Sequence, residues 1–228
     1  MFSLARQEEK LRDAPYSPML KEAPPRSGFI ELDEYRRLFR VLPDYLQLPL
    51  AIGYFTGMRE SEILNLTWDR IDLLRSTISL RPGETKNDEG HSIPMVSELR
   101  ELLAAQRAKS AVAATAYVAF RIDRRGHAVK IGNFRKAWRS ATKKVGLGGL
   151  LFHDLRRSAV RNLVRSGVPE QIAMDITGPK TRSVFSRYHI VSERDRQDAA
   201  RRLEEHFAFE HKTNTELLQN GAVDSVIQ

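Results

Sequence analysis

Apolar residues recur along this chain at two different periods, and the change of period divides it. From Phe29 onward Tyr35, Leu38, Phe39 and Leu42 follow the i, i+3, i+4, i+7 spacing of a buried helix face, and Pro43 predicts its end. The next stretch, Asp44 to Thr56, is apolar on nearly every side through Leu46, Leu48, Leu50, Ile52, Tyr54 and Phe55. A helix without a polar face belongs in the centre of a core. Gly57 fits its C-terminal cap, Arg59 follows, and Glu62, Ile63 and Leu66 begin a further short helix. Between Ile71 and Met95 the period falls to two. Thr77–Leu80 and His91–Pro94 alternate on either side of the turn-rich RPGETKNDEG, which predicts a small antiparallel sheet with Lys86 near the connecting loop.

Helical spacing resumes from Ser97 to about Lys109, with Leu99, Leu102 and Leu103 inward. A strand-like YVAF (Tyr117 to Phe120) precedes a basic helix from Asn133 to Lys144, and Gly146, Gly148 and Gly149 punctuate the chain after it. Ala159, Val160, Leu163 and Val164 predict the buried face of another helix, and Gly167 with Pro169 introduces the next. Ser192 to Phe207 reads as a helix with little apolar surface. The expected architecture is mainly α with a small antiparallel β-sheet, an α+β fold. Residues 1–28, with Pro15, Pro18, Pro24 and Pro25, have the composition of a linker or flexible arm; 29–207 form one domain; 208–228 form a flexible polar tail.

Composition narrows the partners. With 228 residues and 41% hydrophobic content the chain can bury one sizeable core. A net charge of +8 favours a polyanionic partner. Cysteine is absent, which excludes disulfides and thiolate zinc sites and fits a reducing cytoplasm. No apolar run approaches the roughly 20 residues of a membrane span, and the charged start MFSLARQEEKLRD lacks a secretion signal. HExxH, GxxxxGK[ST] and GxSxG do not occur, so the expected chemistry uses no metal or other cofactor.

The chemistry concentrates in FHDLRRSAVRNLVRSGVPEQIAMDITGPKTRSVFSRYHI, Phe152 to Ile190. His153 and Arg156 stand one helical turn apart and project from one face. Tyr188 lies in a basic, polar run with Lys180, Arg182 and Arg187, not on an apolar stripe. An acid or base, a guanidinium fork and a hydroxyl nucleophile together point to work on a phosphodiester.

TGMRESEILNLTWDRID (Thr56 to Asp72), TKN (Thr85 to Asn87), HDLR (His153 to Arg156) and the late tyrosine occur in the order found in the tyrosine recombinase, or phage integrase, family. The resemblance covers roughly Phe29 to Phe207. It implies the tyrosine recombinase catalytic-domain fold and a site-specific recombinase of a mobile element. Such an enzyme cuts and rejoins DNA through a 3′-phosphotyrosyl intermediate without metal or ATP. Arg59 and Arg156 match the family's two arginines, which would clamp the non-bridging phosphate oxygens, and Tyr188 matches the nucleophile. Lys86 fits the general acid for the departing 5′-oxygen. His153 would move the tyrosine's proton or donate to a phosphate oxygen, and Glu62 would orient an arginine.

One position departs from the pattern. Nine residues before the tyrosine the family carries a histidine or tryptophan donor; here Pro179 stands, with neither side-chain donor nor backbone N–H. Reduced activity is expected, raised again by Pro179→His. Arg124, Arg125 and Lys130, then Arg135, Lys136, Arg139, Lys143 and Lys144, together with Lys180, Arg182 and Arg187, are the candidate DNA contacts. The resemblance further implies double-stranded DNA as partner and a homotetramer assembled on it from free monomers. Residues 192–207 would pass between protomers through Ala199, Ala200, Leu203 and Phe207. The family's separate helical domain has no counterpart in the first 28 residues, so weak site binding is expected of this piece. Two alternatives remain open at this point: a catalytically impaired DNA-binding module of the same fold, and a tyrosine-dependent single-strand topoisomerase.

Overall fold

The all-apolar helix forms the axis of the molecule. The structure is a computed structural model that describes residues 28–81, 90–179, 181–188, 191, 193, 195–205 and 207–208. The expected arm (save Gly28), the loop 82–89 with Lys86, Lys180 and nearly all of the expected tail lie outside the described residues. Helix α1 (Leu32–Val41) leads through Pro43 into α2 (Asp44–Thr56), and a short α3 (Glu60–Asn65) comes next. Leu46, Leu50, Ala51 and Ile52 of α2 are almost wholly buried. Around α2 pack α1, α3, α4 (Ser97–Val112) and α6 (Leu155–Arg165).

A three-stranded antiparallel sheet, β1 (Ile71–Asp72), β2 (Thr77–Leu80) and β3 (His91–Pro94), covers one side. Its alternation is that of the sequence: Ile78 and Leu80 are buried while Ser79 is exposed, and Ile78 pairs with Ile93. Where YVAF suggested one isolated strand, the chain makes a second hairpin, β4 (Phe120–Ile122) with β5 (Ala128–Lys130). Tyr117 contributes only a bridge to Thr67. The basic helix α5 (Arg135–Lys144) starts two residues later than expected because the Asn133 Oδ1 accepts from the Arg135 N–H at 3.0 Å and ends a turn there.

Two glycines let the segment from Phe152 to Ala159 approach α2. A Cβ at Gly53 would stand 2.9 Å from Leu155 Cδ1 and 3.5 Å from the Phe152 ring, so the bare backbone lets α2 pack on the 152–155 turn without moving Leu155. Gly57 caps α2 at a φ of 70°, and a Cβ there would stand 3.2 Å from both Ala159 and Thr177.

Beyond α6 the packing thins. Helices α7 (Glu170–Thr177) and α8 (Arg182–Ser186) close over a separate small cluster of Val160, Ala173, Met174 and Phe185. Leu163 and Val164, expected on a buried face, are half-buried against this cluster. The five-residue α8 is set by its cap, the Thr181 hydroxyl accepting from the Val184 N–H. The helical stretch 195–205 then returns to α6 through ion pairs. Arg165 bridges Asp195 (2.5 Å) and Glu31 (2.8 Å), and Arg161 adds a contact of 3.2 Å to Asp195. Among the described residues no helix is long and apolar enough to cross a membrane.

Candidate active site

Arg59 stands at the N-cap of α3, just beyond the Gly57 cap of α2. Its neighbour Glu62 is buried and fixes it twice: the carboxylate accepts from the Arg59 N–H at 2.8 Å and from Nη1 at 2.7 Å. This reciprocal bond makes the backbone cap and the guanidinium orientation one feature. Glu62, expected from the sequence to orient an arginine, thus contacts both the backbone and the side chain of Arg59.

Arg156 is 2% exposed in the first turn of α6, donating from Nη1 to the Gly57 carbonyl at 2.8 Å. Gly57 thus ties the two arginine segments together. Burial, then the nearby charge of Arg59, pulls the Arg156 guanidinium down to about 10, leaving it protonated at neutral pH. Its Nε, like that of Arg157, is buried without a hydrogen-bond partner among the described residues. Buried donors left unmatched in this way are costly unless an anion arrives to accept from them.

Tyr188 closes the arrangement. Its hydroxyl lies 3.4 Å from His153 Nε2, and its ring sits 5.2 Å from the Arg156 guanidinium carbon and 5.9 Å from that of Arg157. His153 belongs to the 3₁₀ turn Phe152–Asp154 that leads into α6. Partial desolvation and the field of Arg156, Arg157 and Arg59 hold its imidazole below the ordinary value, outweighing the opposing pull of Asp154. The turn itself is anchored from below, where Phe152 packs edge-on against Trp138 (5.1 Å) and Phe134 (5.3 Å).

His153, Arg156 and Tyr188 are therefore brought together, and Arg59 acts electrostatically on both of the first two. Lys86 and Lys180 lie outside the described residues. Pro179 is buried directly after Gly178, which caps α7 at a φ of 81°. Two side chains at this site escaped the sequence reading. Arg157 was hidden beside Arg156 in HDLRR, and is held by Asp154 at 2.5 Å. His91 opens β3, and a side chain grown from Gly178 would meet its Cε1 at 3.6 Å. Nothing in linear spacing joins positions 91 and 178; only the packing of β3 on α7 does.

Of the other described tyrosines, Tyr35 and Tyr54 stack at 4.4 Å inside the core, where burial pushes both phenols up. The candidate DNA contacts Arg124, Arg125, Lys130, Arg135, Lys136, Arg139, Lys143, Lys144 and Arg187 are exposed. Arg182 is also exposed but paired with Glu170 at 3.2 Å. On α5 the basic side chains lie opposite buried Trp138, Ala141 and Thr142.

Comparison with known proteins bears on the family and the fold. Residues 29–195 match the model of the phage integrase family. The integrase of Salmonella phage P22 is 25% identical over 217 residues, 91% of this chain and 55% of that protein. The shufflon-specific DNA recombinase of Escherichia coli is 31% identical over 163 residues, 68% of this chain and 38% of that protein. The chain thus spans about half or less of the length of these curated relatives. Among solved structures, the Tn1549 transposon integrase in complex with a circular intermediate DNA superposes with a TM-score of 0.67 at 16% identity, covering 88% of this chain and 75% of that one. The catalytic domain of bacteriophage HP1 integrase gives a TM-score of 0.51 at 19% identity, covering 70% and 85%. The fold is that of tyrosine recombinase catalytic domains, and the chain belongs to the phage integrase family.

Proposed function

We propose that residues 29–207 are the catalytic domain of a site-specific DNA recombinase that breaks and rejoins strands through Tyr188. The observation that carries this reading is the position of the Tyr188 hydroxyl, 3.4 Å from His153 Nε2, with its ring over two guanidiniums. The phenol oxygen attacks the scissile phosphorus; a P–O bond to Tyr188 forms as the bond to the 5′-oxygen breaks. His153, kept neutral by its lowered pKa, receives the phenolic proton. Arg59 and Arg156 hold the two non-bridging oxygens, on which charge accumulates. Lys86 delivers a proton to the leaving 5′-oxygen. The phosphotyrosyl bond keeps the energy of the broken linkage, so a second 5′-hydroxyl can reverse the step without ATP. The family relation and a net charge of +8 support double-stranded DNA as the substrate, in the cytoplasm at the nucleoid.

Assembly follows the same reading: a monomer in free solution, a tetramer on DNA, with the segment after Tyr188 exchanged between protomers. Leu203 and Phe207, 53% and 52% exposed, fit a docking role in that exchange.

The test is covalent trapping on a nicked suicide duplex in the presence of EDTA. A protein–DNA band lost in Tyr188→Phe is expected, with EDTA without effect. A band that survives in Tyr188→Phe overturns the nucleophile. Plasmid relaxation without any strand exchange would assign a topoisomerase instead.

A further inference from the structure

Pro179 offers neither a side-chain donor nor a backbone N–H, and the fold places an imidazole beside it. His91 is half-buried at the first position of β3, where it pairs with Leu80 in the ladder. Strand β3 packs directly on α7, whose cap is Gly178. From the point where a Gly178 Cβ would stand, His91 Cε1 lies at 3.6 Å, His91 Nε2 at 3.9 Å and Arg156 Nη2 at 3.9 Å. The imidazole and the outer nitrogen of the buried guanidinium therefore flank the same bare backbone, one residue before Pro179.

We infer that His91 donates from its imidazole N–H to a non-bridging oxygen of the phosphate held by Arg156, taking over the work of the missing side chain at position 179. This rests on the recombinase reading above. A neutral imidazole still carries one N–H, so the donation does not require protonation. The ladder pairing with Leu80 holds the His91 backbone in place, as a preorganised donor requires. The bare Gly178 keeps the space between imidazole and guanidinium open.

The experiment measures the rate of covalent complex formation by the full chain on the suicide duplex, for the parent, His91→Ala, Pro179→His and the double variant, with thermal midpoints recorded for all four. His91→Ala is expected to slow the reaction on the order of 10²-fold with its midpoint unchanged. Pro179→His, which the sequence alone leads one to expect will raise the rate, is expected to add little while His91 is present, yet to restore most of the rate in the double variant. On a duplex whose scissile phosphate is replaced by a methylphosphonate, the penalty for His91→Ala is expected to shrink, which a structural role would not do. A His91→Ala rate within twofold of the parent overturns the inference, and so does a slow variant that Pro179→His fails to rescue. If the parent forms no complex but Pro179→His does, His91 does not compensate while the tyrosine chemistry stands. If neither forms one, both readings fall.

Discussion

The Arg156 guanidinium and the Tyr188 ring lie 5.2 Å apart, yet the regions that hold them are built unalike. Arg156 rises from the wall of a core that includes almost all of α2 and runs from Ile30 to Leu155. Tyr188 rests on a cluster of four buried residues, Val160, Ala173, Met174 and Phe185, finished by ion pairs from 195 onward. The Arg156 guanidinium is thus anchored in the main core, whereas Tyr188, the proposed nucleophile, sits on a small cluster that is expected to open separately. For a reaction in which one strand must be held while its attacker is delivered, that division is physically sensible.

Its sharpest test compares rates. Arg156→Ala removes a preorganised donor and should slow covalent trapping by about 10²–10³-fold. Phe185→Ala should leave the clamp in place and lower the amount of tyrosine delivered. The two variants are separated by whether a soluble phosphate analogue still binds: lost in the first, kept in the second.

Stability should divide along the same line. Leu50→Ala in α2 is expected to cost about 2–5 kcal/mol of global stability in denaturant unfolding. Phe185→Ala, a comparable truncation, should instead abolish hydrogen-exchange protection around 181–188 while α2 stays protected. Equal loss of protection in both segments would show that the small cluster is not a separate unit. Gly57→Ala comes next, at about 1–3 kcal/mol, since it combines positive φ with contacts already at 3.2 Å.

The pH profile gives a smaller effect. The imidazole of His153 lies below its ordinary 6.5 through desolvation and the surrounding guanidiniums. It therefore stays a proton acceptor further into acid than a free histidine, and the acid limb of trapping should fall below pH 6.5 and disappear in His153→Gln. The unfolded chain takes the proton first, so this group makes folding less favourable as pH drops from 6.5 toward the folded value. Asp195→Asn should produce the smallest change, about 1 kcal/mol or less, seen as weaker salt dependence of protection in 195–205.

The proposed clamp could be read from the sequence because its parts are local. HDLR places its residues within one turn, and Arg59 follows a helix whose apolar surround announces its burial. The β4–β5 hairpin was missed because each strand is only three residues long, too short to establish a period. Helix α4 runs three residues past Lys109 to Val112, which is 91% exposed and so carries no periodic signal. His91 and Arg157 were invisible for a different reason. The significance of each comes from a neighbour supplied by another segment, Gly178 for one and Tyr188 for the other.

Arg165 connects two places that the sequence keeps far apart, Glu31 at the entrance of the domain and Asp195 seven positions past the phenol. One guanidinium divided between two carboxylates works as a junction: loosening either acid frees more of the cation for the other. Tension on the polypeptide ahead of Glu31 would thereby change the grip on the segment behind Tyr188, and by reciprocity the departure of that segment would be felt at the entrance. A pull from upstream would then be felt seven positions past Tyr188 through Arg165, while Arg156, bonded to the Gly57 carbonyl, stands outside that junction.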